Sequence, residues 1–236
     1  MKDVTAIIPH YWHSRRQNLP GIVNALLESR AREVVIWNNT ALPVAVQGAM
    51  VIEGGANWGI AARFAAAYLA RTELVLFQDN DLMVEPGTIA CLAEGNPFDG
   101  ESLEFQGRNL GDWGAPYTRS TYVDAYQINA PQPADVGLSR VSLMTRTTAM
   151  YLAGVIPPDV TDDDLWTSRY CNIRIVPTME DSEYRNLPET EGLCRDVDAH
   201  VARRDALVRQ LWAKKQGFYG GADRFARALE VELNEP

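Results

Sequence analysis

Apolar and polar positions come in blocks along the first third of the chain. VTAIIP at 4–9, EVVIWNN at 33–39, AMVIE at 49–53 and ELVLFQ at 73–78 are short runs rich in apolar and β-branched residues. Such runs predict strands, and the more continuous ones predict strands buried on both faces of a parallel sheet. Between the first two, Leu19, Ile22, Val23, Leu26 and Leu27 lie on one stripe, predicting a helix capped by Asn18 and ending near residue 30. An alanine-rich stretch at 60–70 predicts a second helix. Strand and helix alternate roughly every 25 residues, the rhythm of βαβ units.

The pattern loosens after residue 82. A helix at 87–94 opens at Pro86 and closes at Gly95-Asn96-Pro97. Strands are predicted at 103–108, 122–129, 141–145 and 173–176, with an ordered loop at 109–119 and a break at 131–137. Helices follow at 147–152, then from a cap at Thr161 or Asp162 through Tyr170, and at 196–215 after an acidic, irregular 179–192. The tail, 216–236, ends in a short amphipathic helix. No repeat or linker interrupts the chain. The expectation is a single α/β domain: a mixed, mainly parallel sheet flanked by helices, with a nucleotide-binding half at 1–82, an acceptor and catalytic half at 83–215, and the tail.

Composition narrows the class. The chain has 236 residues, 46% hydrophobic and 22% charged, as in a soluble globular protein. No apolar run nears the roughly 20 residues of a membrane span. The N-terminal apolar run is too short for a signal peptide. Cys91, Cys171 and Cys194 are widely spaced and odd in number, which argues for a reducing, cytoplasmic setting over a disulfide framework. A net charge of −9 argues against a broad nucleic-acid-binding face, not against a local one.

Candidate chemistry centres on Asp79-Asn80-Asp81, where the fourth apolar run stops. Ligands of open α/β sheets bind beyond the carboxyl ends of the strands. Paired carboxylates there fit a hard divalent cation holding substrate phosphates. Asp and Asn also favour turns and helix starts, so spacing alone leaves a capping role open. Right-handed crossovers bring the polar loop at 10–16, Asn38-Asn39 and Asn57-Trp58-Gly59 to the same edge.

Those motifs, in that order, resemble a GT-A nucleotide-sugar glycosyltransferase. Val35-Ile36-Trp37-Asn38-Asn39, the acidic pair Asp163-Asp164 and the spacing of His200 to Arg204 most resemble the exostosin-like glycosyltransferase domain, over about residues 4–211. Family-2-like glycosyltransferases share the first half. The resemblance implies a UDP-sugar donor, Mn2+ or Mg2+ as cofactor and a retaining outcome. It places Pro9, Asn38, Asn39, Asn57, Arg63, Asp79 and Asn80 on the donor side, with Asn38 and Asn39 reading base or ribose and Arg63 meeting phosphate or base. Asp81 would bind the metal, with His200 in its shell. Asp164 would act at the reacting carbon and Arg204 would offset charge on the departing phosphate. Asp163, Trp113 and His13 fall on the acceptor side. Two features depart from the family: the histidines and tryptophan of the 10–16 loop, and Asp162 where a cysteine stands.

Two other classes remain open. A nucleotidyltransferase shares the sheet, although a Gly-rich loop is expected after its first strand and HYWHSRR has no glycine. A non-catalytic nucleotide-sugar binding module is the other. The acceptor is open among a glycan, a small molecule and a hydroxylated DNA base. His10, Trp12, His13, Arg15 and Arg16, with Lys214, Lys215, Phe218 and Tyr219, interleave cations and aromatics as a base-holding surface does.

Overall fold

A computed structural model describes residues 2–111, 116–158, 160–179, 181–182, 184–187 and 197–213. The four predicted strands of the first half form as β1 (Val4–His10), β2 (Glu33–Asn38), β3 (Ala49–Glu53) and β4 (Leu74–Gln78). They lie parallel in the order β3-β2-β1-β4, with Ile7 paired to Val35 on one side and to Phe77 on the other. Every residue of β1 and β4 is buried, as their continuous apolar character requires.

The helix predicted from Asn18 forms, entered through a 3-10 turn. His13–Asn18 is a 3-10 turn leading into α1 (Leu19–Glu28), and Asn18 makes no side-chain cap. Its amide instead donates to the Asn80 carbonyl at 3.3 Å. The alanine-rich helix is short: α2 (Ala62–Ala65) tightens into a 3-10 turn over Ala66–Leu69. Phe64 of α2 meets Phe77 of β4 edge-on, ring centroids 4.9 Å apart, and both are buried. Burying a phenylalanine stabilises by roughly 1.5–3 kcal/mol. This contact fixes α2, and with it Arg63, over the end of the sheet.

The second half departs further from the sequence pattern. After β5 (Leu82–Val84) and α3 (Thr88–Glu94), the single strand predicted at 103–108 is two, β6 (Glu101–Glu104) and β7 (Gln106–Asn109), divided at Phe105. The strand predicted at 122–129 ends early as β8 (Thr121–Asp124), because Asp124 caps a 3-10 turn by accepting from the Tyr126 amide. The predicted break at 131–137 contains β9 (Gln132–Ala134) and β10 (Val136–Gly137). Then come β11 (Val141–Thr145), α4 (Arg146–Val155), α5 (Asp163–Tyr170), β12 (Asn172–Ile175), β13 (Tyr184–Asn186) and α6 (Val197–Ala213).

The main sheet continues from β4 through β11, β6, β12 and β9. β11 runs antiparallel to both β4 and β6, while β6 and β12 run parallel to each other. The result is a mixed, mainly parallel α/β sheet in one domain. β10, β7 and β8 form a small antiparallel sheet beside it, and β13 pairs with β5. Cys91 and Cys171 are free thiols. Among the described residues no helix is long and apolar enough to cross a membrane.

Candidate functional site

The carboxyl ends of β1 and β4 set the geometry. Within the triplet, Asn80 turns inward and is buried. It lies 3.0 Å from His10 Nδ1 and accepts from Arg15 Nη1 at 3.1 Å. Asp79 and Asp81 each pair with an arginine. Asp79 accepts from Arg63 at 3.1 Å, and Asp81 from Arg15 at 3.0 Å. Burial, with the neighbouring charges of His13, Arg15 and Arg16, lowers His10 to about 4, so it is neutral at pH 7.

Arg63 joins the two halves of the chain. It is buried, and its other arm pairs with Asp163 in the first turn of α5. One residue on, Asp164 is held at both oxygens by Arg204 of α6, at 3.0 and 2.5 Å. Asp162 accepts from Arg203 at 2.7 Å and from Arg204 at 3.2 Å. It is the N-cap residue by position, yet its carboxylate turns to the arginines and caps nothing. Tyr117 donates no cap either; its hydroxyl accepts from Arg204 at 3.0 Å and its ring lies under that guanidinium. The five carboxylates of this network face four guanidiniums, so negative charge is in excess. Burial outweighs the attraction of Arg63 and pushes Asp163 up to about 7 and Asp79 up to about 6.

A cavity of about 490 Å³ opens beside the network. Tyr11 and Trp12 from the loop after β1, Asn57 to Ile60 from the loop after β3, and Pro158, Val160 and Thr161 ahead of α5 line it. Tyr11 donates to the Gly59 carbonyl at 3.1 Å, and its phenol is raised by burial. Gly59 has φ +78°, a backbone that a side chain strains.

The predicted donor residues divide into two groups. Arg63 pairs with Asp79; Asn80 and the expected metal ligand Asp81 are both tied to Arg15; and Asn57 lines the cavity. Asn38 does not reach it. It is wholly buried, donates to the Leu42 carbonyl and to Glu53, and accepts twice from Thr40. All four of its hydrogen-bonding positions are used within the loop, which corrects the expectation that it reads a base. Asn39 likewise accepts from Trp37 and from the Trp58 amide and donates to the Gly59 carbonyl, so it shapes the cavity wall. Pro9 is buried in β1 opposite Trp37.

On the other side, Asp163, Asp164 and Arg204 come together. His200 sits with Arg203, 3.0 Å from its guanidinium, and feels Asp162 and Asp164. Among the described residues no group of three or more His, Cys, Asp or Glu side chains gathers for a metal, so His200 and Asp81 are not brought into one such cluster. His13 is exposed at the start of its 3-10 turn. Trp113, Lys214, Lys215, Phe218 and Tyr219 lie outside the described residues.

A divalent cation fits Asp79 and Asp81 only if substrate supplies most of its ligands. Asp81 Oδ1 is buried without a hydrogen-bond partner and would suit an oxygen-seeking ion. Two carboxylates plus phosphate oxygens and water is an ordinary set for such an ion.

Glu104 is absent from the sequence-based residues. It ends β6, fully buried, accepting from the Ser139 amide at 2.7 Å and from Ser102 at 3.1 Å. Its carboxyl fills the space a side chain on Gly137 would need. Burial raises it to about 8, and Asp164 and Asp163 add to the shift. The Gly137 amide donates to Ser168 Oγ, which donates to the Asp164 carbonyl. Gly137, packed on Glu104, is thereby tied to α5. No local pattern in Glu101-Ser102-Leu103-Glu104 singles Glu104 out.

No protein-family model matches the chain, and no curated protein does. Solved structures do match. S. aureus TarS, residues 1–349, superposes with a TM-score of 0.54 at 14% identity, over 93% of this chain and 73% of that one. A nucleotidyl transferase from Methanothermobacter superposes with a TM-score of 0.50 at 10% identity, over 88% of this chain and 99% of that one. The fold is GT-A-like. At these identities the likeness is one of fold alone, shared by glycosyl- and nucleotidyl-transferases. The exostosin-like resemblance has no counterpart in these matches.

Proposed function

We propose that this chain transfers a sugar from a nucleoside diphosphate, a UDP-sugar in the first instance, to an acceptor hydroxyl. The observation that carries this reading is the Arg63 bridge. It ties the Asp79 carboxylate at the end of β4 to Asp163 at the head of α5, at the rim of an aromatic-lined cavity. Residues 1–82 then serve the nucleotide and residues 83–215 the acceptor and the chemistry.

The nucleobase occupies the cavity against Trp12 and Trp58, and the diphosphate lies over Arg63 and the triplet. Asp81, with Asp79, would hold a Mn2+ or Mg2+ ion, which would supply neutralising charge for the leaving diphosphate. In the transfer, the acceptor oxygen bonds to the anomeric carbon and the bond from that carbon to the diphosphate breaks. The acceptor proton passes to a carboxylate, and the nucleoside diphosphate departs. Both oxygens of Asp164 are held by Arg204, so it orients the acceptor side. Asp163, raised to about 7, is suited to take the proton. Arg204, pinned to Tyr117 and Asp164, keeps positive charge near the reacting bond. A retaining outcome is what the exostosin-like resemblance implies, and the anomeric coupling constant of the product reports it.

The nucleotidyltransferase reading is weaker on one specific ground. The segment after β1 is a 3-10 turn pinned through Arg15 to Asn80 and Asp81, with no glycine-rich backbone free to cradle a triphosphate. The deciding experiment incubates the protein with a panel of nucleotide sugars and, separately, nucleoside triphosphates, with Mn2+ and with chelator. Release of nucleoside diphosphate from one nucleotide sugar supports the reading. Pyrophosphate release from a triphosphate, with no turnover of any nucleotide sugar, overturns it.

A further inference from the structure

The small sheet of β10, β7 and β8 has two unlike faces. Gly107 and Val123 are paired on one face, while Arg108 and Tyr122, directly paired across β7 and β8, share the other with the buried Val136. Arg108 and Tyr122 belong to a series of guanidiniums and tyrosine rings drawn from several elements. Arg140 stands over Tyr184 at 5.3 Å. Arg108 stands over Tyr122 at 5.5 Å and over Tyr117 at 4.9 Å. Arg204 covers Tyr117 at 4.4 Å. The series begins near Asp79, whose carboxyl feels Arg140, and ends at Asp164. Both of its ends belong to the candidate site.

Two of these arginines differ from the rest. Arg15, Arg63, Arg174 and Arg204 each pair with a carboxylate. Arg108 donates to the Ser120 hydroxyl and Arg140 to the Asn186 side chain, and among the described residues neither has a carboxylate in an ion pair. Both are half-buried. A partly desolvated guanidinium with no carboxylate at ion-pair distance is unfavourable, even where Asp79 acts on Arg140 from further off, and an arriving anion relieves it. Stacked on a ring, a guanidinium keeps its edge free for the fork-like bonds that phosphate accepts. Tyr122, 41% exposed between them, offers a ring face.

We propose that this face binds a single-stranded nucleic-acid segment, with Arg108 and Arg140 on its phosphates and Tyr122 against a base. It is the acceptor side of the transfer proposed above, and it rests on that reading for its catalytic meaning. The hydroxyl that takes the sugar is one the strand carries. A neutral glycan would stack on tyrosine but leave both cations unmatched. The overall charge of −9 confines the contact to this patch, so the footprint is about two phosphates.

The test is fluorescence anisotropy of labelled single-stranded DNA and RNA 12-mers against the full chain over a salt series, with UDP binding followed by calorimetry. Binding of a single strand in preference to duplex is expected, with log K falling against log salt at a slope of about −1.4, roughly 0.7 for each phosphate contact. The double variant Arg108→Ala/Arg140→Ala should flatten that slope toward zero, and Arg108→Lys/Arg140→Lys should restore most of it. Tyr122→Ala should weaken binding by roughly 5- to 100-fold and leave the slope unchanged, as loss of one stacked base does. UDP binding with no strand binding overturns the inference. So does a salt slope unmoved by the double alanine variant, or binding of a polyol-phosphate polymer in place of both oligonucleotides. Strand binding without any UDP binding or nucleotide-sugar turnover leaves the surface assignment standing and fails the glycosyl-transfer reading instead.

Discussion

Arg63 is buried between Asp79 and Asp163, residues from opposite halves of the chain. No other described residue joins the triplet directly to α5 by an ion pair. Arg63→Ala leaves two carboxylates facing each other without a counter-charge. Breaking a buried pair of this kind costs about 3–5 kcal/mol. At the usual scaling for a chain of this size the midpoint of thermal unfolding drops by roughly 6–15 °C. Arg63→Lys should recover part of that stability and little of the nucleotide affinity, since an ammonium cannot span both carboxylates. Differential scanning fluorimetry and UDP calorimetry on the two variants check this.

Glu104 gives a pH dependence of defined sign. Its folded value of about 8 stands above the ordinary 4.5, so the folded chain keeps a proton that the unfolded chain releases. By linkage, stability is fully present below the ordinary value and is lost as pH rises through about 8. Asp163 acts in the same direction up to about 7. Urea unfolding at pH 6, 7, 8 and 9 should show wild-type stability declining across the series. Glu104→Gln, which keeps the shape of the protonated side chain, should be about as stable at pH 6 and lose less by pH 9. Equal slopes in the two proteins would show that Glu104 does not hold its proton.

Gly137 tests the same contact from the other side. A side chain there collides with the Glu104 carboxyl. Gly137→Ala should destabilise by about 1–3 kcal/mol, the usual cost of overpacking a tight site. In a Glu104→Ala background, where the colliding carboxyl is gone, the same change should cost distinctly less. A double-mutant cycle in urea measures that coupling, and strict additivity of the two changes would rule out the contact as the reason for the glycine.

The first half was legible because β1, β2 and β4 are apolar at nearly every position, and period and length then leave few alternatives. The second half was less so. LEFQGR reads as one strand, but Phe105 turns into the core while β6 and β7 enter different sheets. Residues 131–137 contain two prolines' worth of strand-breaking signal and still supply an edge strand, where a missing N–H is tolerated. At the site, residue type and position relative to strand ends pointed to Asp79 and Asp81, and the glycosyltransferase resemblance to Arg63, Asp163, Asp164 and Arg204, among which ion pairs form in the fold. Neither could show which polar groups are already satisfied. Asn38 has the chemistry to read a base, and Thr40, Leu42 and Glu53 consume it. Beside its neighbour Ser102, Glu104 is held by Ser139, 35 residues away in sequence and beyond any local pattern.

The cavity assignment predicts a specific loss on removing an aromatic wall. Trp58 is 59% exposed, and its indole donates to the Gly54 carbonyl at 2.8 Å, which holds the ring at the cavity mouth. Trp58→Ala should leave thermal stability within about 0.5 kcal/mol, as for other surface changes. It should weaken UDP binding by about 1–3 kcal/mol, the range for one base stacked on an aromatic ring. Trp58→Phe should keep most of the affinity. Unchanged UDP affinity in Trp58→Ala would place the base elsewhere.

Asp81 separates the cation from the arginines. Its Oδ2 pairs with Arg15 and its Oδ1 is buried without a partner. If that oxygen takes a divalent ion together with the donor phosphates, Asp81→Asn removes a charged ligand and keeps the side chain's size. UDP binding in the presence of Mn2+ should fall by tenfold or more, while binding in chelator stays as in the wild type. Arg15→Ala acts oppositely on the same carboxylate. It removes the competing cation, so Mn2+ should bind more tightly in the presence of UDP, although the loss of contacts to Asn80 and Asp81 lowers stability. Calorimetric titration of UDP at several Mn2+ concentrations into the three proteins reads both effects. Identical Mn2+ dependence in wild type and Asp81→Asn would mean that the ion, if one is used, is held without this carboxylate.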